Sequence, residues 1–172
     1  DFQNLLPISS DAFIKKLDNW SIQYKYFEHV PLRTVNESKS VQDIFLSAEQ
    51  GGGHIKNLFL RDHKKNNILI VAHQDALIDL KNLQLKIGAG RLSFGSSNRL
   101  MEHLGVFPGA VTPFSMINGV HKKVVLFMDL SLKNYKKIYM HPLVNDRTLE
   151  MTIENLEMFF KKINVIPHWI KL

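Results

Sequence analysis

Apolar residues first recur at helical spacing near the start of the chain. Phe13, Ile14 and Leu17 share one face, Ser9 or Ser10 stands where an N-cap belongs, and Asp11 falls in the first turn. A helix is predicted there. Residues 23–27 then alternate polar and aromatic side chains, Tyr24 and Tyr26 around Lys25, as a half-buried strand does. At His29-Val-Pro-Leu-Arg-Thr34 the chain turns. Thr34 and Glu37 are spaced as a capping box, so a helix carrying Val41, Ile44, Phe45 and Ala48 inward is expected. His29 reads as a residue of that turn. Gly51-Gly52-Gly53 ends the helix and reads as a mobile joint.

Residues 54–61 make a strand with Ile55, Leu58 and Leu60 apolar, interrupted by Lys56-Asn57. Neighbouring residues of a strand project to opposite faces, so one of this polar pair turns toward a pocket, unless the strand is an edge guarded by its lysine. The polar stretch 62–67 is a hairpin turn into the apolar strand 68–72, giving an antiparallel pair. Residues 77–87 read as mostly helical and stop at Gly88-Ala-Gly90. That Gly-x-Gly is no dinucleotide fingerprint, because it follows a helix and Ser93 stands in place of the third glycine. Arg91-Leu-Ser-Phe94 is short and extended. Ser96 or Ser97 caps a helix with Leu100, Met101 and Leu104 on one face, and Gly105 closes it.

Residues 105–114 are the most constrained stretch of the chain. Gly105, Pro108, Gly109 and Pro113 stiffen a loop in which little side chain blocks the approach of a ligand to backbone N–H groups. Beyond it the pattern gives strands over 124–128 and 138–140, the latter leading into His141-Pro142, and a further strand over 148–153. Thr152 caps a last amphipathic helix with Leu156, Phe159, Phe160 and Ile163 inward. Strands and helices mix without strict alternation, which points to a mixed sheet or partly closed barrel packed by helices. No linker, repeat or low-complexity segment divides residues 1–172, so a single domain is expected.

Composition narrows the chemistry. With 172 residues, 45% of them hydrophobic, the chain can build a real core. The absence of cysteine excludes disulfides, thiolate metal sites and cysteine nucleophiles together. No apolar run approaches the ~20 residues that span a bilayer, and no signal peptide is legible. The chain opens on Asp1 rather than Met, so an earlier N-terminus is expected. A formal net charge of +6 leans toward a polyanionic partner. There is no Gly-x-Ser-x-Gly elbow and no His-Glu-x-x-His helix. A zinc site from His54, His63 and His73 is disfavoured by Lys64 and Lys65 beside His63. An enzyme here relies on backbone donors, a lysine, an asparagine and a histidine.

In series, His29-x-Pro-x-x-Thr34, Lys56-Asn-Leu-Phe-Leu-Arg-Asp62, Arg91-Leu-Ser-Phe94, Leu104-Gly105, Pro108-Gly-x-Val-Thr-Pro113 and His141-Pro-Leu143 resemble the prolyl-tRNA synthetase-associated editing domain, a branch of the YbaK-like aminoacyl-tRNA deacylases. The resemblance spans nearly the whole chain. It departs from the family's pattern at Gly95, where an alanine is usual, and at His54, where small residues often stand. It implies an α+β fold: a curled mixed β-sheet, or partial barrel, surrounded by helices. His141-Pro-Leu and Arg91-Leu-Ser-Phe place it with the freestanding, alanine-clearing type. The implied activity is hydrolysis of alanine mischarged onto proline tRNA, acting on the acceptor end, with prolyl-tRNA synthetase as a further partner, in the cytoplasm. A paralogue clearing Cys, Ser or Thr, and a tRNA-binding module without hydrolysis, are the alternatives.

The resemblance further assigns Lys56, Gly109 and His141 as catalytic, and Asn57, Arg91, Ala110, Val111, Thr112 and Pro113 as substrate-binding, with no metal and no cofactor. An aminoacyl ester is already activated, so positioning and oxyanion stabilisation matter more than a strong nucleophile. The family's use of the substrate's own 2′-hydroxyl fits a sequence without an evident general base. His141 then serves as a neutral pocket wall, or alternatively as a proton shuttle.

Overall fold

The computed structural model describes residues 2–32, 35–39 and 41–172. Ser9 caps α1 (Ser10–Asn19), its hydroxyl accepting the Ala12 N–H at 3.1 Å, and Phe13 and Leu17 are fully buried. β1 (Lys25–Glu28) starts later than the alternation predicted and is exposed along most of its length, because it is the terminal strand of the sheet. The capping threonine expected at Thr34 lies outside the described residues.

The helix expected to carry Val41, Ile44, Phe45 and Ala48 inward is not formed as such. α2 (Val35–Lys39) is a single short helix, followed by a separate 3₁₀ turn at Gln42–Ile44. Ile44 and Ala48 are exposed. One turn gains little from its own hydrogen bonds, and the chain instead bends so that Phe45 stacks on Tyr139. Nor is the glycine triplet a mobile joint. Gly52 and Gly53 open β2 (Gly52–Asp62) and pair in parallel with Lys137 and Ile138. A Cβ at Gly52 would lie 2.0 Å from the Leu46 carbonyl oxygen, and one at Gly53 2.4 Å from Ile138 Cδ1. Close approach, not flexibility, requires glycine here.

β2 and β3 (Asn67–His73) form the expected antiparallel hairpin, with the Asp62 carboxylate accepting the N–H groups of Lys64 and Asn66 across the turn. α3 (Leu80–Ile87) is shorter than predicted, since Asp79 caps it and Leu77 is fully exposed, and Gly88 ends it at φ +66°. β4 (Leu92–Phe94) and α4 (Ser97–Leu104), capped by Ser96 and closed by Gly105 at φ +66°, match the sequence reading. A 3₁₀ turn at Pro113–Ser115 leads into α5 (Met116–Gly119), then β5 (Val125–Asp129), β6 (Lys137–Met140) and β7 (Arg147–Met151). Thr152 caps α6 (Ile153–Lys162), so Ile153 begins the helix rather than ending the strand. The sequence pattern did not mark β8 (His168–Ile170), whose three residues add in parallel to β5.

The strands described form one mixed sheet in the order β1-β7-β6-β2-β3-β5-β8, with β4 attached to β2. Its two ends do not meet, so the sheet stays open. The main core packs α1, α4 and α6 on it through Phe13, Leu104, Phe114, Phe159 and Phe160. A smaller core of Leu60, Ile68, Ile70, Leu83 and Leu92 includes α3.

Candidate active site

The site is a gap in the sheet. One edge of β2 pairs with β3 from Ile55 to Arg61. The other edge pairs with β6 only over Gly52–His54, and with β4 only over Leu60–Asp62. Gly95 N–H closes the second pairing on the Phe59 carbonyl at 2.8 Å. Among the described residues, 55–58 therefore have no strand on that side, and a cleft of about 310 Å³ opens there. Gly109 and Val111 wall it from the loop, and His141 and Thr148 from beyond β6.

Lys56 and Asn57 both line this cleft, although their side chains leave the strand on opposite sides. The Lys56 ammonium donates to the Ala76 carbonyl, which anchors it at one rim. Asn57 Oδ1 is buried without a hydrogen-bond partner.

The loop contributes less broadly than its composition predicted. The Ala110 N–H turns back to the Phe107 carbonyl at 3.2 Å, and the Thr112 N–H to Ser115 Oγ at 3.2 Å. Thr112 in turn caps the 3₁₀ turn that Pro113 begins, and Ala110, Thr112 and Pro113 are all buried. These three support the loop and do not line the cleft. Gly109, at φ +87°, and Val111 remain as its candidate backbone donors. Arg91 is exposed just before β4 and also lies outside the cleft.

His141 follows β6 and is set by a tight turn in which Leu143, at φ +71°, returns its N–H to the His141 carbonyl at 2.9 Å. His141 Nδ1 lies 3.0 Å from the Arg147 carbonyl oxygen. A carbonyl only accepts, so Nδ1 carries the proton and Nε2 the lone pair. Burial lowers the His141 pKa to about 4, which keeps the ring neutral at physiological pH. His29 reaches the same corner, its Nε2 2.7 Å from Thr148 Oγ1 and its ring centroid 6.0 Å from that of His141.

An aromatic wall went unread in the sequence. The His54 ring stacks on Tyr139 at 5.0 Å, and Phe45 stacks on Tyr139 at 4.6 Å. His54 Nε2 bonds the Leu46 carbonyl at 2.8 Å, and burial depresses its pKa. The Tyr139 hydroxyl donates to Glu150 at 2.7 Å and accepts the Leu46 N–H at 2.9 Å; burial pushes its pKa up. The signal that was available is Tyr139 inside an apolar strand, since a buried hydroxyl demands a partner. His63 lies against Gly90 and His73 stacks on Tyr135, so His54, His63 and His73 do not converge on one point.

Residues 30–159 match the aminoacyl-tRNA editing domain family. The prolyl-tRNA editing protein ProX of Acetoanaerobium sticklandii is 39% identical over 154 residues, which cover 89% of this chain and 91% of that protein. The prolyl-tRNA synthetase associated domain-containing protein 1 of Xenopus laevis is 33% identical, covering 91% of this chain and 90% of its own. A solved structure put forward as a trans-editing enzyme for prolyl tRNA synthetase superposes with a TM-score of 0.68 at 18% identity, over 95% of this chain and 97% of that one. At that identity the likeness speaks for the fold. The match over residues 30–159 and the identity to full-length relatives agree: this chain belongs to the aminoacyl-tRNA editing domain family.

Proposed function

We propose that this protein, working as one editing domain, is a trans-acting deacylase that removes alanine from mischarged proline tRNA. The observation that carries the reading is the small cleft that brings Lys56, Gly109 and His141 together at the gap in the sheet. Its volume sits at the low end for ligand pockets, as suits a single small aminoacyl group. A pocket readily excludes larger side chains, whereas preferring a larger one gains only ~1–3 kcal/mol per methylene, so clearing the smaller residue belongs in a separate editing site.

In this reading the ester carbonyl faces the Gly109 and Val111 N–H groups, which stabilise the oxyanion as water adds. Lys56 holds the 3′-terminal ribose or phosphate, with the substrate's own 2′-hydroxyl orienting the water. His141 is a neutral wall, since its depressed pKa makes it a poor base near pH 7. Nucleic-acid attraction and the +6 net charge act in the same direction. Such a role belongs in the cytoplasm, beside prolyl-tRNA synthetase.

A deacylation panel tests this. Proline tRNA charged with Ala, Cys or Ser, and alanine tRNA charged with Ala, are incubated with the protein and initial rates compared. Alanyl-proline tRNA is expected to clear fastest. Faster clearance of the cysteinyl or seryl ester would move the specificity to a paralogue. RNA binding with no clearance of any ester would make the chain a binding module.

A further inference from the structure

The cleft holds hydrogen-bond acceptors that lack donors. Asn57 Oδ1 is buried and unpartnered. His141 Nε2 carries a lone pair, because Nδ1–H is committed to the Arg147 carbonyl. The open edge of β2 adds main-chain carbonyls. His54 O accepts from Gln74 N–H on the β3 side, and Phe59 O accepts from Gly95 N–H on the opposite side. Successive residues of an antiparallel strand turn their backbone groups to alternate edges, so Ile55 and Asn57 present both carbonyl and N–H groups to the gap. Lys56, which lines the cleft, donates its ammonium to the Ala76 carbonyl.

With the Gly109 and Val111 N–H groups left to the ester carbonyl, the unpartnered Asn57 Oδ1 and His141 Nε2 match a ligand group that brings several N–H donors and a positive charge. An aminoacyl ester has one such group, its α-ammonium, with three donors. We propose that Asn57 and His141 recognise this free α-ammonium, so that the cleft acts on aminoacyl esters with an unblocked amine and excludes N-acylated or peptidyl esters. The inference rests on the deacylase reading and names its substrate class more narrowly. An acylated nitrogen keeps one N–H, loses the charge, and brings an acyl group against Val111 and Met140, which line the same cleft. The cleft thereby has a polar group at each end of an otherwise largely apolar lining: Lys56 faces the nucleotide, and Asn57 and His141 face the amine. Because burial keeps His141 unprotonated, its lone pair persists beside a cation.

The test compares initial deacylation rates of alanyl- and N-acetylalanyl-proline tRNA by the intact protein and by Asn57→Ala. The wild type is expected to favour the free amine by roughly a hundredfold or more, since a site built around polar contacts strongly rejects a ligand that leaves them unpaired. Asn57→Ala should shrink that ratio by roughly tenfold, through loss of the alanyl rate alone. A purely structural asparagine would lower both rates together, and that result overturns the proposal, as does a wild type that accepts both esters within a few-fold. Calorimetric binding of 3′-alanylamino-3′-deoxyadenosine, and of its N-acetyl counterpart, separates the two readings. Preference for the free amine without ester turnover keeps this inference and removes the deacylase. Equal binding of both analogues, or of neither, removes the inference.

Discussion

Two cavities in this protein invite comparison. The larger, about 610 Å³, lies at the carboxyl ends of β3, β5 and β8, and includes His73, Asp129 and Lys133 in its lining. The cleft beside Lys56 has about half that volume. In the larger cavity no buried side-chain nitrogen or oxygen of the described residues lacks a partner. Asp129 accepts the N–H groups of His73 and Ser131 at 3.0 Å each, the His73 ring stacks on Tyr135, and the Lys133 ammonium sits 4.5 Å over the Trp169 ring. In the cleft, Asn57 Oδ1 and His141 Nε2 have none among the described residues. Buried polar groups are normally satisfied; of the three exceptions among the described residues, Ser10 Oγ, Asn57 Oδ1 and Asn67 Oδ1, only Asn57 belongs to a residue lining either cavity. Volume alone would favour the other cavity.

Substitutions can break this contrast. The largest effect is expected for Lys56→Ala, which should lower deacylation by roughly 100- to 1000-fold while the far-ultraviolet dichroism and melting temperature stay near wild type. Lys133→Ala, in the larger cavity, should leave turnover alone. Comparable losses from both would erase the distinction.

His141→Ala comes next. It enlarges the cleft and loosens the alanyl group, and since misplacement by ~1 Å can lower a rate ~100-fold, alanyl-proline tRNA should be cleared much more slowly. Measured as kcat/KM from pH 6 to 8.5, the wild type should show no titration belonging to His141, whose pKa of about 4 lies below that range. A pH step near 6.5 that vanishes in His141→Ala would make the residue a proton-transfer group instead.

Gly109→Val should reduce activity by roughly tenfold or more and destabilise the fold by about 1–3 kcal/mol, because a β-branched residue is forced to φ +87° at the wall of the cleft. Full activity would mean that the loop only connects.

Acid stability gives a smaller, continuous effect. The unfolded chain takes up a proton at His141 near pH 6.5, while the folded one resists until about 4. Stability is therefore full above pH 6.5 and falls as the pH drops to 4, by roughly 3 kcal/mol from this residue. His54, also depressed by burial, adds in the same direction. Urea unfolding of wild type and His141→Ala at pH 7, 6 and 5 should show a shallower pH slope in the variant; equal slopes would contradict the buried-neutral assignment. Prolonged chelation should have no effect on turnover, and loss that zinc restores would refute a metal-free mechanism.

Local signals carried the reading of the chain far. Ser9, Ser96 and Thr152 cap helices because their short hydroxyls reach the N–H three residues on, a relation complete within one turn. Gly88 and Gly105 end helices for an equally local reason, the left-handed angle. The hairpin of β2 and β3 follows from two apolar runs and a polar turn. Where the outcome depended on distant partners, the pattern misled. Gly51-Gly52-Gly53 resembled a joint until Leu46 and Ile138 closed on it, and three residues at 168–170 become a strand only because β5 offers an edge.

The same division runs through the site. Sequence alone determined which residue types were present, excluded thiol chemistry, and singled out Lys56, the 105–114 loop and His141 as chemistry without an obvious structural use. It could not tell that Ala110, Thr112 and Pro113 hold the loop from inside, that Arg91 stands apart, or that His54, Tyr139 and Phe45 form a wall. Those facts depend on which backbone groups find partners across the fold. Only the tertiary structure decided that β2 loses its neighbour between β6 and β4, and that a neutral His141 and an unpartnered Asn57 face the gap. Pairing and burial are properties of contacts between residues far apart in the chain, and no local pattern encodes them.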